Sequence, residues 1–229
     1  DYAQKLGLEC FSSPFDEAAV DFLEELHVPA YKIASFENDH IPLIKKVAQT
    51  GKPVIISTGV ANIADIDLAV RTLRENGCKD IILLKCTSTY PATPENTNVR
   101  TIPHLKDLYG CHVGLSDHTM GVGASIAAVA LGACVIEKHF CLSRAEGGVD
   151  SAFSLEPSEL RSLAIETERA FLSLGKIQYG IQEAEKKSIN FKRSIYVVKD
   201  IVAGDIFSIE NIRVIRPGDG LPPQFYEKI

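Results

Sequence analysis

Six short apolar runs, each followed by a stretch with helical periodicity, constrain the fold of this chain more than any other feature. They are LECFSS (8–13), AYKIAS (30–35), PVIIST (53–58), DIILLKCT (80–87), HVGLSDH (112–118) and CVIEKHF (134–140). Their starts at 8, 30, 53, 80, 112 and 134 are spaced by 22 to 32 residues. Near-continuous apolar strands, rather than alternating ones, are what a parallel sheet covered by helices requires. The intervening segments supply the helices. Asp16 caps one whose Ala19, Phe22, Leu23 and Leu26 form a stripe; Asn62 caps another with Ile63, Ile66, Val70 and Leu73 inward and Gly77 past its end. Pro157 opens a last helix with Leu160, Leu163, Thr167, Phe171 and Leu174 on one face.

Such βα repetition admits a doubly wound sheet or a (β/α)₈ TIM barrel. No GxGxxG or GxxxxGK[ST] follows any strand, which removes the dinucleotide fingerprint and the P-loop. The barrel is favoured because polar residues stand at the C-terminal end of every run, the face where barrel active sites are built. They are Ser13, Ser35, Glu37, Ser57, Thr58, Thr87, Ser88, Tyr90, Ser116, Asp117, His118 and His139. A barrel needs eight strands and six are counted, so the first two βα units are expected upstream of Asp1. His118 and His139 then fall on the seventh and eighth strands, which are neighbours about 4.8 Å apart.

The expected organisation is a barrel over 1–176, a polar lysine-rich linker over 177–190, and the first part of a small β-rich domain over 191–229. A net charge of −6, with no dense basic run, leaves no electrostatic footprint for nucleic acid. No segment has the apolar length of a membrane span, and no signal peptide is visible. Six cysteines without a CxxC pair read as reduced, mostly buried thiols of a cytoplasmic protein; Cys86 and Cys141 fall near the strand-end mouth, but neither has a histidine at a spacing that implies an activated nucleophile.

Two imidazoles at one mouth can bind a divalent metal and leave positions open for water and substrate, with Asp150 of GGVDSAF as the third party. Ordinary polar loop residues, and a turn aspartate, are the competing reading. Ser13, Ser35, Ser57, Thr87 and Ser116 with Lys32 form a ring of donors for phosphate or carboxylate oxygens. A single strand-end serine is usually a cap; five around one mouth are harder to dismiss. Glu37 suits proton transfer or a sugar hydroxyl, or serves only as a helix N-terminal carboxylate. Tyr90 contacts ligand or packs under its loop. His27, His40, His104 and His112 are expected on the opposite side, exposed.

In order along the chain, FSSPFDEAAVDFL, PAYKIAS, KPVIISTG, LLKCTSTYPA, VGLSDHT, AVALGACVIEKHF and DSAFSLEP resemble the sialic acid synthase family. These are phosphoenolpyruvate-condensing (β/α)₈ enzymes with a C-terminal antifreeze-like (SAF) domain. Within that family, SRAEGGVDSAFSLEP is similar to the pseudaminic acid branch, where sialic acid synthases carry a Pro-Gly-Pro-Asp loop. The resemblance implies that His118 and His139 ligate Mn²⁺ or Mg²⁺, and that Asp150 reaches the metal through water. It also implies that Ser13, Lys32, Ser35, Ser57, Tyr90 and Ser116 surround phosphoenolpyruvate and that Glu37 lies near the reacting centre. Ser88 stands where an Asn is common. Arg216 of RPGDG is implied to reach the other subunit's active site in a domain-swapped homodimer. The implied second substrate is an amino-sugar aldehyde, and the setting the bacterial cytoplasm. The family's N-terminal catalytic glutamate and a further phosphoenolpyruvate-binding lysine are expected upstream, so the chain alone is not expected to be a complete enzyme. The alternatives are an N-acetylneuraminate or legionaminate synthase, and a non-catalytic carbohydrate-binding barrel.

Overall fold

The computed structural model describes residues 2–229, which divide into two units, 2–175 and 176–229. The first holds a five-stranded, wholly parallel sheet in sequence order: β1 (Tyr31–Ile33), β2 (Val54–Ser57), β3 (Ile81–Cys86), β4 (His112–Asp117) and β5 (Val135–Lys138). Around it run α1 (Glu17–Glu25), α2 (Ile41–Gln49), α3 (Ile63–Glu75), α4 (Thr101–Tyr109), α5 (Gly123–Ala130) and α6 (Pro157–Leu174). Strands β1 and β2 are buried along their whole length, as expected for strands covered on both faces. Tyr31, Ile33, Ile56, Leu83 and Leu115 of the strands pack with Leu43, Ile44, Leu73, Ile102 and Leu105 of the helices as one core.

The cap residues anticipated from sequence are in place. Asp16 accepts from Ala19 N–H at 2.7 Å, and Asn62 forms a capping box with Asp65. Asn62 takes the Ala64 and Asp65 amides while Asp65 takes the Asn62 amide.

Three expectations need correction. The run LECFSS is extended but is not a strand of the sheet. Its one ladder-like bond is Lys32 N–H to Ser12 O, at 3.4 Å, and Leu8 and Phe11 are exposed. One bond to the edge of β1 does not make a ladder, so five paired strands are found where six were counted. The apolar stripes of α1 and α6 are also less buried than their periodicity implies. Val20 and Leu23 are buried in α1 and Leu163 in α6, whereas Phe22, Leu26, Leu160, Phe171 and Leu174 are exposed. Periodicity marks a face, and burial depends on something packing there. Finally, all six cysteines are free thiols, but only Cys78 and Cys86 are buried; Cys10 and Cys134 are exposed.

The second unit pairs β6 (Ser194–Val197) antiparallel to β7 (Ile212–Ile215). Its buried apolar side chains are Ile195 and Ile212, a small core for 54 residues. Among the described residues, no helix is long and apolar enough to cross a membrane.

Candidate active site

The parallel register brings the C-terminal ends of β1 to β5 to one mouth of about 240 Å³. Ser13, Lys32, Ser35, Ser57, Cys86, Tyr90, Ser116, His118, Glu137 and His139 line it. Eight of these ten were singled out from sequence, because strand-end positions of a parallel sheet share one face. A larger hollow of about 510 Å³, lined by Arg74, Lys106 and His112 among others, lies at the N-terminal ends of β3 and β4, the face where barrels place no chemistry. His27, His104 and His112 are exposed and His40 is half-buried.

His118 is 5% exposed, and its Nδ1 lies 2.9 Å from the Thr87 carbonyl. Nδ1–H therefore donates to that carbonyl, which leaves Nε2 with a lone pair for a ligand. His139 Nδ1 lies 3.5 Å from Asp150 Oδ2, the carboxylate–histidine pairing common behind metal-binding imidazoles. The two imidazole centroids are 5.2 Å apart. Tyr90 and Phe153 wall them in: Tyr90 is 4.3 Å from the His118 ring and Phe153 is 5.0 Å from the His139 ring. Two imidazoles with their far nitrogens engaged fit one divalent ion. Among the described residues no three or more His, Cys, Asp or Glu side chains cluster as a metal set, so further positions would fall to water or substrate.

Lys32, buried at 7% exposure, points its Nζ at Glu137 Oε2, 3.5 Å away, and donates to the Ile33 carbonyl. Ser116 Oγ donates to Glu137 Oε1 at 2.6 Å. Ser57 Oγ is buried with no hydrogen-bond partner, and so is Glu37 Oε2 in the 3₁₀ turn Ser35–Glu37. Buried polar atoms are rarely left unpaired, so an orphaned hydroxyl on the wall of a mouth is a ligand-facing donor. Ser35 Oγ accepts from the Gly59 amide at 3.1 Å, and Ser88 Oγ lies 3.6 Å from Cys86 Sγ. Arg216 belongs to the second unit.

One lining residue, Glu137, escaped the sequence reading. Glu137 sits inside an apolar run between better-marked neighbours, and only the register Ser116↔Glu137 turns it toward the mouth. Cys86 lines the mouth as its strand-end place implies, but its histidine neighbour was not foreseen: β3–β4 pairing sets it opposite Ser116 and brings its Sγ to 3.9 Å from His118 Nδ1. Phe153, in the segment that carries Asp150, was overlooked because an aromatic in a Gly-rich loop carries no periodicity.

The electrostatics separate the titrating groups. Burial alone would raise the Cys86 thiol, but hydrogen bonds with His118 first, then Ser35, Ser88 and Ser116, outweigh it and bring Cys86 down to about 7. His118 is held above its ordinary value. Burial opposes that shift, and contact with Cys86 and the Thr87 carbonyl overcomes it. His139 goes the other way, lowered by burial and by the neighbouring His118 charge. Burial pushes the Tyr90 phenol up.

Fold and mouth together define a protein of (β/α)-barrel type whose candidate site lies at the C-terminal strand ends. Comparison with known proteins narrows the class. The NeuB family profile matches residues 1–179, and the SAF domain profile matches residues 192–229. The chain belongs to the NeuB family. It is 41% identical to the pseudaminic acid synthase of Campylobacter jejuni serotype O:2, over 99% of this chain and 66% of that protein. It is equally 41% identical to the N,N'-diacetyllegionaminic acid synthase of the same organism, over 99% of this chain and 69% of the relative. Among solved structures it resembles the N-acetylneuraminic acid synthetase of Leptospira borgpetersenii, at TM-score 0.76 and 36% identity, covering 82% of this chain and 66% of that one. The chain thus spans about two thirds of the length of these relatives.

Proposed function

We propose that the chain is the larger part of a phosphoenolpyruvate-dependent synthase that makes pseudaminic acid from 2,4-diacetamido-2,4,6-trideoxy-L-altrose. One observation carries the reading: a buried lysine, an unpartnered serine hydroxyl and two imidazoles converge on one mouth in a chain of this family. Lys32 and the hydroxyls of Ser13, Ser35, Ser57 and Ser116 hold the phosphate and carboxylate oxygens of phosphoenolpyruvate. His118 and His139 would hold Mn²⁺ or Mg²⁺, with Asp150 behind His139. Such an ion supplies Lewis-acid polarisation of a carbonyl oxygen.

The rest is the work of side chains. Tyr90 and Phe153 shield the imidazoles from bulk water, and Tyr90 and Ser88 border the pocket for the three-carbon substrate. Glu37, with its unpaired buried oxygen, hydrogen-bonds a sugar hydroxyl or moves a proton at the reacting centre. A bond forms between C3 of phosphoenolpyruvate and the aldehyde carbon of the open-chain sugar. Water then adds at C2, and phosphate departs by C–O cleavage, leaving a nine-carbon 2-keto acid. Arg216 completes the site of the other subunit in a domain-swapped homodimer, and the setting is the bacterial cytoplasm.

The likeness to a legionaminic acid synthase at the same identity supports a second sugar for the same chemistry. Condensation decides between them. Phosphate release from phosphoenolpyruvate is measured on a version spanning the full length of the relatives, with the altrose derivative against the 2,4-diacetamido-2,4,6-trideoxy sugar of manno configuration and against N-acetylmannosamine. Turnover of either of the other two sugars, and not of the altrose derivative, overturns the sugar assignment. Failure of Mn²⁺ and phosphoenolpyruvate to bind at all favours a non-catalytic carbohydrate-binding barrel.

A further inference from the structure

Strands β4 and β5 end in parallel three-residue sets, Ser116-Asp117-His118 and Glu137-Lys138-His139, paired Ser116↔Glu137 and Asp117↔Lys138. Because strand side chains alternate, the first and third of each set face the mouth while the middle ones face the helices. The inward rung is the Ser116–Glu137 hydrogen bond. The outward rung is an ion pair, Lys138 Nζ to Asp117 Oδ2 at 3.0 Å, with side chains 3% and 0% exposed.

Asp117 is fully engaged. Oδ1 accepts from Thr119 N–H at 2.8 Å and Thr119 Oγ1 at 2.7 Å, and Oδ2 accepts from Ser125 Oγ of α5 at 2.7 Å. Lys138 Nζ also donates to the Thr119 carbonyl. Residues on both sides of His118 are thereby tied to the residue before His139. The tie matters because both imidazoles stand one residue past the last paired rung of β4 and β5, so their spacing follows the register of that pairing. A one-residue slip between β4 and β5 would turn His139 to the opposite face. Two buried charges are a costly way to gain stability, and fixing register is the best-attested use of such a pair.

We infer that the buried Asp117–Lys138 pair is a register lock that sets the spacing of His118 and His139 for one shared metal ion. Asp117 and Lys138 are positioning residues; neither lines the mouth. The inference rests on the reading of the two histidines as metal ligands, and the experiment separates the two. Mn²⁺ binding to the full chain is titrated by the EPR signal of the free ion, alongside far-UV circular dichroism. Wild type that binds no Mn²⁺ overturns the metal reading and the lock with it.

If wild type binds, the double variant Asp117→Asn/Lys138→Met, which removes both charges and keeps the bonds from Thr119 N–H and Thr119 Oγ1 to the side chain at 117, is expected to fold. Its Mn²⁺ affinity is expected to fall about 10- to 100-fold, the range for residues that orient metal ligands from behind. Leu73→Ala, a core truncation away from the mouth, is expected to lower stability while leaving Mn²⁺ affinity within about twofold. A folded double variant with wild-type affinity, or an equal loss in Leu73→Ala, overturns the lock. Should the double variant not fold, Ser125→Ala serves, because it removes one hydrogen bond from Asp117 without touching a strand. Weaker Mn²⁺ binding at an unchanged circular dichroism spectrum supports the lock, and unchanged binding overturns it.

Discussion

Lys32 and Glu137 stand on the first and last strands of the five-stranded sheet, yet Lys32 Nζ and Glu137 Oε2 are 3.5 Å apart. A flat sheet would hold its edge strands four spacings of about 4.8 Å apart. The contact therefore measures how far the sheet has curled. It also ties the proposed anion-binding lysine to a carboxylate from across the mouth. Lys32→Met removes the ammonium and leaves Glu137 facing an anion uncompensated. We expect phosphoenolpyruvate binding to weaken by about 2 kcal/mol or more, roughly 30-fold in Kd, as for truncating one partner of a buried charge pair. Isothermal titration calorimetry checks this, and a Kd within about threefold of wild type would remove Lys32 from the anion site.

The imidazole pair gives a graded prediction. His118→Ala and His139→Ala each remove one of two protein ligands, so Mn²⁺ binding should be lost in either variant. Asp150→Ala leaves both ligands and removes only the carboxylate 3.5 Å behind His139 Nδ1, so the loss should be about 10-fold. The order matters more than the absolute values. If Asp150→Ala abolishes binding as completely as the histidine variants do, Asp150 is a direct ligand and not an orienting group.

How far the sequence reached follows from which forces it encodes. Lys32, Ser57, Ser116 and both histidines were legible because a parallel strand sends its C-terminal residues to one face whatever the rest of the fold does. Caps such as Asp16 and Asn62 were legible because they are local. Glu137 was not, and neither was the contact of Cys86 with His118, since each arises through strand register, a relation between distant segments. The run at 8–13 has the composition of a strand and meets only one ladder bond, and the stripe Leu160, Phe171 and Leu174 has the period of a buried face without the burial. Composition and period state what an element can do; pairing is decided elsewhere in the molecule.

Gly59 shows how tightly the mouth is built. A Cβ there would lie 2.1 Å from Ser88 Oγ and 2.7 Å from Ser35 Oγ, both short side chains with little room to withdraw. Gly59→Ala should push Ser35 and Ser88 from their places and strain the Gly59 N–H bond to Ser35 Oγ. We expect a loss of about 1–3 kcal/mol in urea denaturation, the usual cost of overpacking, together with weaker phosphoenolpyruvate binding. Wild-type stability and affinity in this variant would show that the two serines are free to move and do not define the pocket.

The last prediction concerns pH and lies away from the site. Glu24 of α1 accepts from the Tyr31 hydroxyl and from Lys52 Nζ, each at 2.6 Å, so it ties α1 to β1 and to the residue before Pro53. Partial burial alone would raise its carboxyl, but the bonds from Lys52 and Tyr31 outweigh this and hold it below its ordinary value near 4.5. The sign follows from linkage. A carboxyl depressed in the folded state binds fewer protons there than in the unfolded chain, so its contribution is complete above about pH 4.5. That contribution disappears as pH falls through the lower, folded value. Tm of the wild-type chain should therefore drop between about pH 5 and pH 3 more steeply than Tm of Glu24→Gln, which keeps an acceptor and cannot titrate. Because Glu24 is 39% exposed, solvent screens the effect and the difference should be modest, and it should shrink further in high salt. Parallel Tm profiles for the two proteins over that range would mean that the Glu24 contact is too loosely held to shift the carboxyl.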